Sequence, residues 1–145
     1  MARMTRQPEE GGARLDRLAS VGPGFRAPGA SFGRWATAPG RFPWFGRSEL
    51  GRSFLAMLRE AGWIIGDFDW PSWTRSTRGQ ALANDREALA RASTDELAML
   101  LTALVRQERF SEGTLARAFE AGLLLAVVER ADTLRSSSKA GESHA

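Results

Sequence analysis

Residues 93–110 read STDELAMLLTALVRQERF. Leu97, Leu100, Leu101, Leu104 and Val105 recur at three- and four-residue spacing, the period of one helical face. Ser93 and Glu96 stand three apart just ahead of that stripe, the spacing of a capping box. The pattern predicts a helix from 94 to about 108 and makes it the organising element of the chain. At 100° per residue, Thr102, Arg106 and Arg109 fall within about 60° of one another, beside the apolar stripe. Two Arg one turn apart can hold a phosphate or carboxylate. Glu112, three residues past Arg109, can instead neutralise it, and Glu108 projects toward the apolar arc. The same residues therefore read either as an anion grip or as a structural Glu–Arg network.

Working outward, Ser111 is placed to cap a following helix that buries Leu115, Ala118 and Phe119. Gly122 breaks it, and Leu123–Leu134 reads as a last, largely apolar helix. Upstream, DFDWPSW at 67–73 puts two carboxylates among a Phe and two Trp. In extended chain Asp67 and Asp69 would share a face, and paired carboxylates can divide acid and base roles. Pro71, however, suits the first turn of a helix, which makes Asp69 its N-cap and sets Trp70 and Trp73 on one face. Further back, Ser48 is a good N-cap, and Leu50, Phe54, Leu55 and Leu58 have helical spacing up to Gly62, which can end the helix in the left-handed region. Residues 31–45, SFGRWATAPGRFPWF, carry five aromatics around Pro39-Gly40 and predict a short hairpin or ordered loop, with Pro43 confining any second strand to an edge.

The fold expected is mainly α, a compact domain of about five helices with a small N-terminal aromatic β-hairpin or loop. Residues 1–24, rich in Gly, Pro, Arg and Glu, read as a mobile leader. Residues 25–134 form the single folded unit, and 135–145, RSSSKAGESHA, read as a mobile tail.

The 145 residues allow one modest core. With no Cys, disulfides and thiolate chemistry are excluded. The single His is His144 and the single Lys is Lys139, both in the expected tail, so a His relay, a His metal site or a Lys nucleophile is not expected; neither is a metal or a cofactor. GPGFRA at 22–27 brushes the dinucleotide-binding glycine pattern but contains Pro and follows no strand. Residues 1–60 hold ten Arg and five acids, net +5, whereas 61–145 are net −2. The longest apolar run, Leu123–Val128, is far short of the roughly 20 residues that span a bilayer. MARMTRQPEE has no apolar signal-peptide core, and the expectation is a cytoplasmic protein.

Three blocks, FGRWATA…PWF, GWIIGDFDWPSW and LLTALVRQERFSEGTLARAFEAGLLLAVVERA, together resemble a family of small, stand-alone bacterial proteins catalogued only as a domain of unknown function, DUF6508. The resemblance covers about 31–131 and implies an outline without an activity, cofactor or partner. It draws attention to Asp69, Trp70, Trp73, Thr102, Arg106, Arg109, Phe110, Glu112 and Gly113.

With the usual catalytic apparatus absent and Arg and Trp plentiful, the leading expectation is a non-enzymatic interaction module that binds another protein. Arg34, Trp35, Arg41, Trp44 and Arg47, in the basic half, are the residues expected at that interface. One alternative is nucleic-acid binding by the same basic half, with Trp35 and Trp44 stacking on bases. The other is a carboxylate- and Arg-based enzyme on an anionic substrate, with Asp67 or Asp69 as acid or base, with or without a divalent metal, and Arg106 and Arg109 as the grip.

Overall fold

The computed structural model describes residues 8–143, with side chains placed from 12 to 137. Its elements are α1 (Pro8–Ala19), α2 (Gly22–Arg26), β1 (Gly33–Ala36), β2 (Trp44–Arg47), α3 (Glu49–Glu60), α4 (Trp70–Arg75), α5 (Thr77–Asn84), α6 (Arg86–Leu89), α7 (Thr94–Glu108), α8 (Thr114–Glu120) and α9 (Leu123–Ser143). The molecule is mainly α with a two-stranded antiparallel hairpin, as expected, but it carries nine helical segments among the described residues rather than about five. The added ones are α1, as long as α3, and the short α2, α5 and α6. Ser76 and Asp85 cap α5 and α6, turns that carry no long apolar period. Among the described residues, no helix is long and apolar enough to cross a membrane.

Helix α7 follows its sequence signature. Ser93 Oγ accepts from the Glu96 N–H (3.1 Å), and the Glu96 carboxylate accepts from the Ser93 N–H (3.0 Å). Leu97, Leu100, Leu101 and Val105 are buried, with Leu104 half-buried beside them. Arg78 of α5 clamps Glu96 with two nitrogens, at 2.5 and 3.0 Å, joining the start of α7 to the preceding helices. Ser48 caps α3 through the Gly51 N–H, and Asp69 caps α4 through the Ser72 N–H, with Pro71 in the first turn.

Helix α9 is the second core element. Leu124, Val127, Val128 and Ala131 are fully buried, and α1 lies along it. This corrects the mobile leader. Arg14, Leu15 and Leu18 form one face of α1, and all three are buried. Fully buried Trp63 donates its indole N–H to the Arg14 carbonyl, and the Arg14 guanidinium lies 4.4 Å from the Trp63 ring centroid. The core therefore begins before residue 25; residues 1–7 lie outside the described part. The tail is corrected too. Helix α9 continues through Arg135, which reaches Asp16 of α1 at 3.7 Å, and runs to Ser143; His144 and the Lys139 side chain lie outside the described residues.

A cluster of Phe25, Phe32, Phe54 and Phe119 ties α2, the approach to β1, α3 and α8 together, with ring centroids 4.6–5.5 Å apart. The hairpin leaves this cluster at Gly33, which sits at φ 138° with the Gly46 carbonyl so near that a Cβ would lie 2.2 Å from it. Only glycine fits there.

Two outcomes are expected. Leu18→Ala should cost about 2–5 kcal/mol of unfolding free energy in urea titration, as for a fully buried Leu; a mobile leader would show no change. Hydrogen bonds from Arg78 lower the Glu96 carboxyl from 4.5 to about 2. The ionised form is thus favoured by folding, so this contribution is complete above pH 4.5 and is lost as pH falls toward about 2. An NMR titration of the Glu96 carboxyl carbon should show the low midpoint, and Arg78→Ala should return it toward 4.5.

Candidate functional site

The hairpin register pairs Gly33 with Arg47, Arg34 with Gly46, Trp35 with Phe45 and Ala36 with Trp44. Side chains alternate across a strand, so Trp35, Phe45 and Arg47 share one face while Arg34 and Trp44 share the other. The sequence expectation grouped Arg34, Trp35, Arg41, Trp44 and Arg47 as one interface; the structure places all five on the hairpin but divides them between its two sides. The first face turns toward the body of the protein. Trp35 meets Phe45 edge-on at 5.6 Å and lies over Gly113, where a Cβ would stand 3.6 Å from the indole nitrogen. Arg47 reaches Glu108 at 3.3 Å. On the hairpin loop and the other face, Arg41 packs over Trp44 at 5.2 Å from the ring centroid, and Arg34 is exposed beside them.

Glu108 is the joint between hairpin and helices. It is the last residue of α7 and is buried. One carboxylate oxygen accepts from the Leu115 N–H (2.9 Å); the other accepts from the Gly113 N–H (3.0 Å) and from Arg47. A carboxylate from the end of one helix thus caps the start of the next, where the N–H groups have no helical acceptor and the dipole favours negative charge. Ser111, expected as that cap, is displaced from the role. Its carbonyl accepts from Thr114, and the N-cap position falls on Gly113 at φ 89°.

Thr102 and Arg106 are structural. The buried Thr102 hydroxyl accepts from the Ile65 N–H (3.0 Å) and donates to the Trp63 carbonyl (3.3 Å); Arg106 donates to the Ile65 carbonyl (3.1 Å). Together they staple the irregular segment 63–65 to α7. Asp69 is occupied as the cap of α4, and the hydrogen bonds from Ser72 hold its carboxyl below the usual carboxylate range. Asp67 is exposed and has no ion pair among the described residues. The two Asp therefore do not meet the Arg pair in one cleft, and the Arg pair itself divides. No group of three or more His, Cys, Asp or Glu placed to hold a metal ion occurs among the described residues.

Arg109 and Glu112 do share a site. They line a cleft of about 260 Å³ with Arg47, Glu108 and Arg59, over Leu55 and Val105. Arg59 and Arg109 form no ion pair there with either glutamate. Sequence reasoning left Arg59 out, although its spacing of four from Leu55 on α3 places it above that apolar face. It also left out Phe42, an aromatic at a loop tip between Arg41 and Pro43, and Phe110 as an exposed surface group.

The family model matches residues 11–137, almost the whole described chain, and includes most of α1. The chain belongs to the Family of unknown function (DUF6508). No curated protein and no solved structure matches it significantly. In this DUF6508 chain the residues singled out by the sequence blocks divide into a scaffold (Asp69, Trp73, Thr102, Arg106, Gly113) and a surface (Arg109, Phe110, Glu112) against which Trp70 stacks.

Glu108→Ala should destabilise by on the order of 3 kcal/mol, because two helix N–H groups and Arg47 lose their acceptor. Arg47→Ala, which removes a half-exposed partner, should cost about 1 kcal/mol or less. A double-mutant cycle in chemical denaturation separates these terms. Equal costs for the two single variants would show that the ion pair, not the helix cap, is what matters.

Proposed function

We propose that this chain is a non-enzymatic binding module that docks an acidic segment of another protein on the hairpin and the adjoining α7–α8 turn. One observation carries the reading. The large hydrophobic side chains exposed among the described residues are Phe42 (93%), Phe110 (81%), Trp35 (52%) and Trp44 (40%), and all four belong to the hairpin or that turn. Trp70 stacks on Phe110 at 6.4 Å, which extends the aromatic surface of the α7–α8 turn toward α4. Trp, Phe and Arg are favoured at interface centres. Arg34 and Arg41 on the Trp44 side and Arg109 beside Phe110 in the chain have no acidic partner among the described residues, which favours a partner carrying negative charge. The reading requires no cofactor, and its setting is the cytoplasm.

A second reading, nucleic-acid binding, is favoured by the Arg41–Trp44 stack beside Arg34, an arrangement suited to a base and its phosphate. The enzyme reading has lost its convergent carboxylates, since Asp69 caps α4 and Arg106 holds the Ile65 carbonyl.

The test is capture from nuclease-treated host lysate by the tagged full chain, beside a Phe42→Ala/Trp44→Ala double variant. A stoichiometric protein should be retained by the native chain and reduced at least about tenfold by the double variant, the scale expected for interface-centre aromatics. Thermal unfolding of the variant should be unchanged, since both side chains are exposed. Retention indifferent to the substitution would reject the hairpin as the docking surface. Recovery that collapses with nuclease, and an affinity falling steeply with salt, would move the assignment to nucleic acid.

A further inference from the structure

The cleft between α3, the end of α7 and the end of β2 differs from the aromatic patch in chemistry. Its walls carry three guanidinium groups, Arg47, Arg59 and Arg109, and two carboxylates, Glu108 and Glu112. Glu108 is already committed: both of its oxygens accept backbone N–H groups, and one also accepts from Arg47. That leaves Arg59, Arg109 and Glu112, all exposed in the cleft lining and with no ion pair among the three. The floor is apolar, formed by buried Leu55 and Val105.

Size and charge narrow the ligand. At about 260 Å³ the cleft lies just below the usual range of roughly 300–1,000 Å³ for small-molecule pockets. It has room for a side chain and too little to enclose a nucleotide. Three positive groups against two negative ones leave a net charge of +1 in the lining. That balances a carboxylate. A phosphate monoester, at about −1.5 to −2 near pH 7, would meet Glu108 and Glu112 with its charge only partly compensated. Guanidinium forks match the planar carboxylate geometry, and the apolar floor suits the methylene stem of a glutamate.

We infer that this cleft is a carboxylate-receiving subsite, in which Arg59 and Arg109 hold the side-chain carboxylate of an acidic residue over Leu55 and Val105. The identity of the carrier, a segment of a docked protein, rests on the proposed binding function; the carboxylate chemistry does not. Arg47 is the last residue of β2 and lines the cleft, so a segment lying on the hairpin can reach the subsite without crossing the core.

The experiment is an NMR titration of the full chain, read at the arginine Nε–Hε signals at constant ionic strength. The probes are N-acetyl-glutamate N-methylamide, its glutamine counterpart and inorganic phosphate. The glutamate compound should shift Arg59 and Arg109 saturably, and the glutamine compound should not. Arg59→Gln/Arg109→Gln should weaken binding by at least about tenfold, the scale of one lost charge-assisted hydrogen bond, without altering thermal unfolding. Glu112→Gln should tighten it by about two- to five-fold by removing an exposed like charge. Equal shifts from the glutamine compound, tighter binding of phosphate than of the carboxylate, or no saturable shift would each overturn the assignment. Phe42→Ala should leave this titration unchanged. Loss of the titration with partner capture intact therefore rejects the subsite alone, and the reverse result rejects the hairpin reading alone.

Discussion

The buried Glu108 carboxylate is the interaction on which the functional end of this molecule depends. A charged group with so little contact with water is tolerable only when its oxygens are filled. Here a helix start fills two positions and Arg47 a third. The arrangement fixes three things at once. It sets the angle between α7 and α8, seats the end of β2 against them, and leaves Gly113 bare so that Trp35 can lie across it. Among the described residues the hairpin has no third strand, and an isolated two-stranded ribbon is marginal in water. Its order comes from being pinned at Arg47 and at the phenylalanine cluster before Gly33.

A second chain of contacts runs the other way from α7. Thr102 and Arg106 hold the backbone of residues 63–65, and that segment holds fully buried Trp63. Trp63 in turn receives α1 through the Arg14 carbonyl and guanidinium. The polar side chains on α7 therefore do structural work on two sides: toward α1 through the Trp63 loop, and toward the hairpin through Glu108. A helix whose apolar stripe packs the core and whose flanking polar groups satisfy neighbouring backbone explains why its residues read equally well as a site and as a network.

What could be read from the sequence was local. Ser93 with Glu96, Ser48, Asp69 with Pro71, and the glycines at 62 and 122 each announce a helix end through contacts within a few residues, and each forms as read. The hairpin around Pro39-Gly40 is of the same kind. What could not be read was distant or made with backbone. Arg47 lies 61 residues from Glu108, and spacing along a helix cannot name such a partner. The partners of Arg106 and Thr102 are main-chain groups of residues 63–65, which look alike in any sequence. Helix α1 was hidden because its three-residue buried face sits in Gly-, Pro- and Glu-rich surroundings, so composition outweighed periodicity. Of the candidate site, the aromatic hairpin and Arg109 with Glu112 were legible; Arg59 and the employment of Glu108 were not.

The arginine bias acquires a physical meaning once its side chains are sorted by what they touch. Arg14, Arg52, Arg86, Arg106 and Arg130 each donate to a main-chain carbonyl, at Gly62, Arg47, Ala121, Ile65 and Ala92. A fold made of many short helices has many carbonyls at helix ends and in loops without helical donors. A long side chain with five N–H groups can reach them while keeping its charge near water. Part of the basicity that looked like a preparation for nucleic acid is thus consumed in satisfying main-chain carbonyls at helix ends and in the connections between elements. Arg34, Arg41, Arg59 and Arg109 are not consumed in this way, and each of them lies on the hairpin or lines the cleft beside it. Arg75 at the end of α4 and Arg91 after α6 are likewise exposed without an ion pair or a side-chain hydrogen bond, so four of the six such guanidinium groups among the described residues stand at the hairpin and its cleft, the part of the fold that also leaves its Trp and Phe uncovered.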